Sequence, residues 1–474
     1  MDHRLAGSLL CLALGCDAPG EDVSDADDPG AIALDDREAP TDDAAVTHAQ
    51  PPVGDVAPAA DRDASPSLES PPVRAPVETR IARQTLVLRD GPDPRAPLRG
   101  RIPLGEAFYV YALVPGRDCG GKGWGDIGEG AYACLEATRK AGDAVPRKLP
   151  ELRDGDLAPF FYAKVKQGQT ARRWKSLASM LAGEEPTGTL EPEHDYAFVG
   201  RRRAKGQMIL IDERDNVVLE SEVMRYRPSR FAGRDLVQTP VPAGLLLAWG
   251  VTWPSNPALA EPREAAAPMP ALAYQAEILL LPEPTRNAEG RWWALDGGGY
   301  LHDRHVGRWS RPIPPESIGA VEVWIDVEID QQILTVMRGP EPLFATLISS
   351  GFKGPTPRGL FRISMKQAIG QMQSRPDAEE SYNVEAVPYV QYFAGNFALH
   401  GAFWHYRFGH RISHGCVNLS PRDARRVFDM TAPHALPGWV NAYESESAPG
   451  TTVRVRRGDE DVQDKRAPPR LLEG

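Results

Sequence analysis

Between His400 and Cys416 the chain sets one thiol and four imidazoles, His400, His405, His410 and His414, within seventeen positions. A thiol is a strong nucleophile only as its thiolate, and a nearby imidazole can take that proton and later return it to a leaving amine. Cys416 and His400 are therefore the minimum pair for acyl transfer. Gly415, directly ahead of the thiol, lets backbone N–H groups come close to a developing oxyanion. The bland alternatives are an inert buried thiol and a satisfied core histidine. The spacing of the pair and the adjoining glycine weigh for chemistry. The same donor atoms could in principle hold zinc, but five-residue histidine spacing does not suit a helical site and no CxxC or HExxH pair is present. No metal and no cofactor are expected. Trp404, His405 and His410 read first as loop-packing residues, with Trp404 kept as a substrate-contact candidate.

Stepping outward, Ser420-Pro421-Arg422-Asp423 supplies a capping serine, a first-turn proline and an acid three residues after the cap. A helix is expected to start about four residues past Cys416, to turn Ala424, Val427 and Phe428 inward, and to end before Pro433. Upstream, Val321, Val323, Ile325, Val327 and Ile329 alternate with polar or charged partners, which predicts a half-buried strand. Ile333 to Val336 and Leu343 to Ile348 continue it as an antiparallel meander, and Thr451 to Val455 supplies a last strand. The unit carrying the chemistry, 319–457, is thus mainly β.

The rest of the chain divides by composition. Residues 1–16 hold a short apolar run, Leu5 to Leu14, of signal-peptide length, ending in Gly15-Cys16, where Cys16 is a candidate lipid-bearing residue. Residues 17–82 are Ala/Pro/Asp-rich and too poor in apolar side chains to offset chain entropy, so they read as a disordered tether. Eleven acids against one base between Asp17 and Asp43 account for -10 of the net charge of -11. The remainder has no cationic excess, which argues against nucleic acid as a partner. Residues 83–145 form a small β unit, 146–270 a β-rich region of unassigned role, 271–318 a second small β unit, and 458–474 a disordered tail. Arg201, Arg202, Arg203 and Lys205 lie between Gly200 and Gly206 and read as a solvated turn. Cys119 and Cys134, fifteen apart around a Gly-rich turn, suit a disulfide in an oxidising compartment, which leaves Cys416 unpaired.

His400, a sixteen-residue step, and Ser413-His414-Gly415-Cys416-Val417-Asn418 resemble the signature of YkuD-type L,D-transpeptidases. Thr356-Pro357-Arg358-Gly359-Leu360-Phe361 resembles the family's Thr-Pro-x-Gly-x-Phe segment. The resemblance implies a β-sandwich with a short helix after the nucleophile. It also implies an exported enzyme of the periplasm or cell envelope acting on peptidoglycan stem peptides; a monomer is expected, and Ala13-Leu14-Gly15-Cys16, which resembles a lipoprotein processing site, makes Cys16 a candidate membrane anchor. Cys416 would attack the third-residue carbonyl of a tetrapeptide stem, release D-alanine and pass the acyl group to an amine, with His400 as base. His414, Gly415 and the Cys416 amide would shape the oxyanion pocket, Ser413 and Asn418 would hold the loop, and the Gly401 carbonyl would orient His400. A tyrosine completes that pocket in relatives; Tyr382, Tyr389 and Tyr392 are all candidates, Tyr392 being carried as a substrate contact. The order strand, Gly91-Pro92-Asp93-Pro94, strand, Gly123-Trp124-Gly125 and closing strand is similar to bacterial SH3-like domains, as a spacer or a wall-binding module. Two other functions stay open: a carboxypeptidase or endopeptidase using the same thiol, and a non-catalytic wall-binding protein.

Overall fold

The computed structural model describes residues 74–192, 194–373 and 383–466. The expected leader, Cys16, most of the tether, Tyr382 and the end of the tail lie outside them. The described chain is mostly β, with a single helix of more than five residues, Pro421–Met430. No helix among the described residues is long and apolar enough to cross a membrane.

Two sheets enclose the main core. The first has six strands in the order Arg234–Asp235, Glu341–Leu347, Ile333–Arg338, Val323–Glu328, Thr452–Arg456 and Gly359–Arg362. The expected meander is its centre, antiparallel throughout, and Thr452–Arg456 runs parallel to Val323–Glu328. The second sheet brings Met365–Gln373, Asn383–Ala394, Phe397–Gly401 and Val417–Leu419 side by side. Ile325, Val327 and Val336 from the first meet Tyr389, Leu399 and Val417 from the second, and Ala424, Val427 and Phe428 of the helix close the layer. Ser420 caps that helix, its hydroxyl accepting from the Asp423 amide, with Pro421 in the first turn.

Three expectations change. The Val323–Glu328 strand is buried on both faces rather than one. Its polar residues are enclosed because Asp326 is gripped by Arg454 at 2.5 Å and Arg456 at 2.8 Å from the neighbouring strand, so a charged side chain can occupy an interior row. The arginines at 201–203 are not a turn. They lie in the strand Gly200–Ala204, hairpinned to Gln207–Ile211, and only Lys205 and Gly206 turn, both with positive φ. Finally, the regions that composition separates share sheets. Leu246–Gly250 pairs with both Glu277–Leu280 and Val306–Arg308 across the expected boundary at 270. Leu98–Ile102 pairs with Asn441–Tyr443, which in turn pairs with Met365–Gln373. Trp439 and Ala442 complete the core formed by Leu88, Phe108 and Val110. Cys119 and Cys134 are joined by a disulfide with a Cα separation of 5.4 Å.

Candidate active site

His400 lies in the strand Phe397–Gly401, and Cys416 immediately precedes Val417–Leu419, which runs parallel to it. The register pairs Leu399 with Val417 and His400 with Asn418, so Cys416 stands beside Ala398. Side chains alternate along strands. Leu399, Val417 and Leu419 therefore point into the main core, whereas Ala398, His400 and Cys416 share the opposite face, His400 and Cys416 being diagonal neighbours. On the other side of Phe397–Gly401, Tyr392 pairs with Ala398, which makes Tyr392, Ala398 and Cys416 one row across three strands.

The loop 402–416 joining the two strands is pinned from several directions. Thr356, buried, donates through Oγ1 to the Gly415 carbonyl at 2.8 Å and accepts from the Gly351 amide. Ser413 Oγ donates to the Cys416 carbonyl and accepts from the Gly415 amide at 3.0 Å. The Gly415 amide is thereby engaged. Gly415 is needed for shape: its φ is +132°, and a Cβ there would sit 2.4 Å from the Phe397 ring. The Asn418 side-chain amide lies 2.9 Å from Nε2 of His405, and its backbone pairs with Ser349, fixing both ends of the loop. His414 is exposed.

A second clamp comes from a region in which the sequence showed no chemistry. Tyr274 donates to the Phe408 carbonyl at 2.8 Å, and Gln275 Nε2 reaches the carbonyls of Tyr406 and Phe408. The Trp253 ring packs on Tyr406 at 5.1 Å. These contacts span more than 130 positions of chain, and no local pattern announces them.

His400 is buried and its Nδ1 faces the Gly401 carbonyl at 3.4 Å, with Trp404 stacked against the ring at 5.7 Å. Loss of solvation pushes its pKa down to about 4. Cys416 is partly exposed, its sulfur 3.8 Å from the Asn396 carbonyl, and burial pushes its thiol pKa up. At neutral pH the resting pair is therefore imidazole and thiol, both uncharged. Of the tyrosines, Tyr389 is committed elsewhere, donating to the Pro150 carbonyl and packing on Phe428. Tyr392 shares the apolar cluster that receives Cys416 and Trp404.

Residues 322–455 match the family model of the YkuD L,D-transpeptidase catalytic domain. This segment is a YkuD domain. It spans the central strands of both sheets and the helix between them, though not the edge strand Arg234–Asp235, and the family acts on the peptide stems of peptidoglycan. Among solved structures, an L,D-transpeptidase from Mycobacterium smegmatis is 21% identical over 49% of this chain and 89% of its own, with a TM-score of 0.24. The catalytic domain of an Enterococcus faecium L,D-transpeptidase is 22% identical over 29% of this chain and 98% of its own, at 0.23. L,D-transpeptidase 3 from Mycobacterium tuberculosis, solved with a faropenem-derived adduct, is 18% identical over 38% of this chain and 91% of its own, at 0.24. No curated protein matches the chain.

Proposed function

We propose that the YkuD domain is a peptidoglycan L,D-transpeptidase working through a Cys416 thioester. The observation that carries the reading is the parallel register that sets His400 and Cys416 on one face of adjacent strands. With Nδ1 turned to the Gly401 carbonyl, Nε2 of His400 is left to accept a proton. Because neither partner is charged at rest, proton transfer and attack proceed together. The sulfur bonds to the third-residue carbonyl carbon of a tetrapeptide stem while its proton passes to His400. The oxyanion is met by the Cys416 amide and, from the same row, the Tyr392 hydroxyl. Collapse breaks the C–N bond, and His400 returns the proton to the departing D-alanine amine. An acceptor amine then attacks the thioester carbonyl, gives its proton to His400, and expels the thiolate, which His400 reprotonates. An exported location follows from this substrate, and Cys16 remains the candidate lipid anchor.

Incubation with a purified tetrapeptide stem, followed by intact mass measurement, tests the proposal. The protein should gain the stem minus D-alanine, and Cys416→Ala should gain nothing. A penem or carbapenem should add covalently to the same thiol. Absence of any adduct on the unsubstituted chain would refute the reading. Products formed with and without an acceptor amine separate transfer from hydrolysis.

A further inference from the structure

The hairpin of Thr285–Asn287 and Gly290–Ala294 forms one wall of an open cleft of about 790 Å³. The opposite wall is Asp330–Gln331 together with Gly409–His410, a bend of the same loop that leads to Cys416. Arg286 and Arg291 line this cleft and stand directly opposite each other in the hairpin register. Cross-strand partners have Cβ atoms only about 5 Å apart, and like charges so placed repel.

The carboxylates of the cleft do little to relieve that repulsion. Asp303 accepts from Trp293 Nε1 at 2.6 Å and forms an ion pair with Arg308 at 3.3 Å, and its reach to Arg291 is 3.9 Å. Asp330 is paired with Arg411. Arg304, also in the lining, is paired with Glu264 at 2.9 Å. Arg286 is exposed and makes no ion pair among the described residues, and the buried Nε–H of Arg291 has no acceptor. Two guanidiniums thus face one space with one distant counter-charge between them. Such a pair suits a planar carboxylate, which can accept from both at once.

We propose that this cleft binds the carboxylate of the acceptor peptide, with Arg286 and Arg291 as its clamp. The assignment rests on the transpeptidase reading, which requires a second peptide beside the thiol loop. A peptide anchored there by its carboxylate is held against Gly409–His410, on the loop whose other end is the nucleophile. The volume suits a short peptide segment.

The full chain tests this in two arms. In the first, Cys416→Ala protein, which holds peptide without turnover, is titrated with a stem peptide, with its carboxyl-amidated form and with inorganic phosphate. Arg286→Gln and amidation should each weaken peptide binding about tenfold, the scale of one charge-assisted hydrogen bond, and should not compound when combined. In the second, with the thiol intact, Arg286→Gln should leave the acylation rate unchanged and raise the acceptor concentration for half-maximal transfer by a similar factor. Equal affinity for peptide and amide, an unaltered acceptor requirement, or phosphate binding tighter than peptide would each overturn the proposal. Arg286 is on the surface, so its variant stays informative should Arg291→Gln fail to fold. If the unsubstituted enzyme does not acylate, the transpeptidase reading fails, and the binding arm still decides whether the cleft takes carboxylate.

Discussion

Burial holds His400 neutral at any pH above about 4 and keeps the Cys416 proton in place. The acid limb of kcat/KM should therefore fall near pH 4 to 5 rather than near 6.5, since only the neutral imidazole can accept. A limb at 6.5 would mean that His400 is solvated in the working enzyme. Stability should move in the same direction. With a folded pKa below the unfolded one, His400 contributes fully above pH 6.5, and that contribution is lost as pH falls toward 4 because the unfolded chain takes up the proton first. His405, pushed down to about 3 by burial and by His400 beside it, extends the loss. Thermal midpoints across this window should decline steadily in the unsubstituted chain and less in His405→Asn. Thr356 offers a second check. Its replacement by valine leaves the Gly415 carbonyl and the Gly351 amide without their buried partner, at about 1–3 kcal/mol each. Chemical denaturation should show that loss, and acylation should slow at least tenfold.

At the scale of elements, legibility followed chain distance. The start of the helix after the thiol was readable to within a residue, because a cap, a first-turn proline and an inward stripe all lie in eleven consecutive positions. The closeness of His400 and Cys416 was readable because sixteen residues separate them and the loop between is dense in unusual side chains. Tyr274 and Gln275 were not, since their partners are carbonyls, which every residue carries, more than 130 positions away. The interior row of Asp326 was misread for a related reason: alternation signals a wet face unless the arginines that neutralise it, Arg454 and Arg456, are known to lie alongside. Gln275→Ala removes two bonds to the loop and should lower stability by about 1 kcal/mol, as expected for partly exposed hydrogen bonds. Its informative readout is the acylation rate, which should fall while the far-UV spectrum is unchanged. An unaffected rate would show that the loop holds its shape unaided.

At the scale of the molecule, the composition boundaries marked changes in sequence style, not in folding unit. Pairing of Leu98–Ile102 with Asn441–Tyr443 runs the second sheet through both ends of the described chain, and Trp439 and Ala442 fill the core of the N-terminal unit. The fragment 319–457, which brackets the family match at 322–455, would expose that sheet edge and Trp439 to water. It should be less stable and more prone to associate than residues 74–466, which size-exclusion chromatography and thermal melts can compare. Removing the disulfide with Cys119→Ala should cost about 2–5 kcal/mol, and the loss should register at the active site, not only locally.

The ladder between Leu98–Ile102 and Asn441–Tyr443 has only two registered pairs, Gly100 with Ala442 and Arg101 with Asn441. A pull on the N-terminus would load that short seam before the long strands behind it. It would open like a zip, one pair after the other, at forces far below those needed to shear the thiol-bearing sheet. In single-molecule stretching, an early low-force extension that leaves the thiol reactive would be its signature.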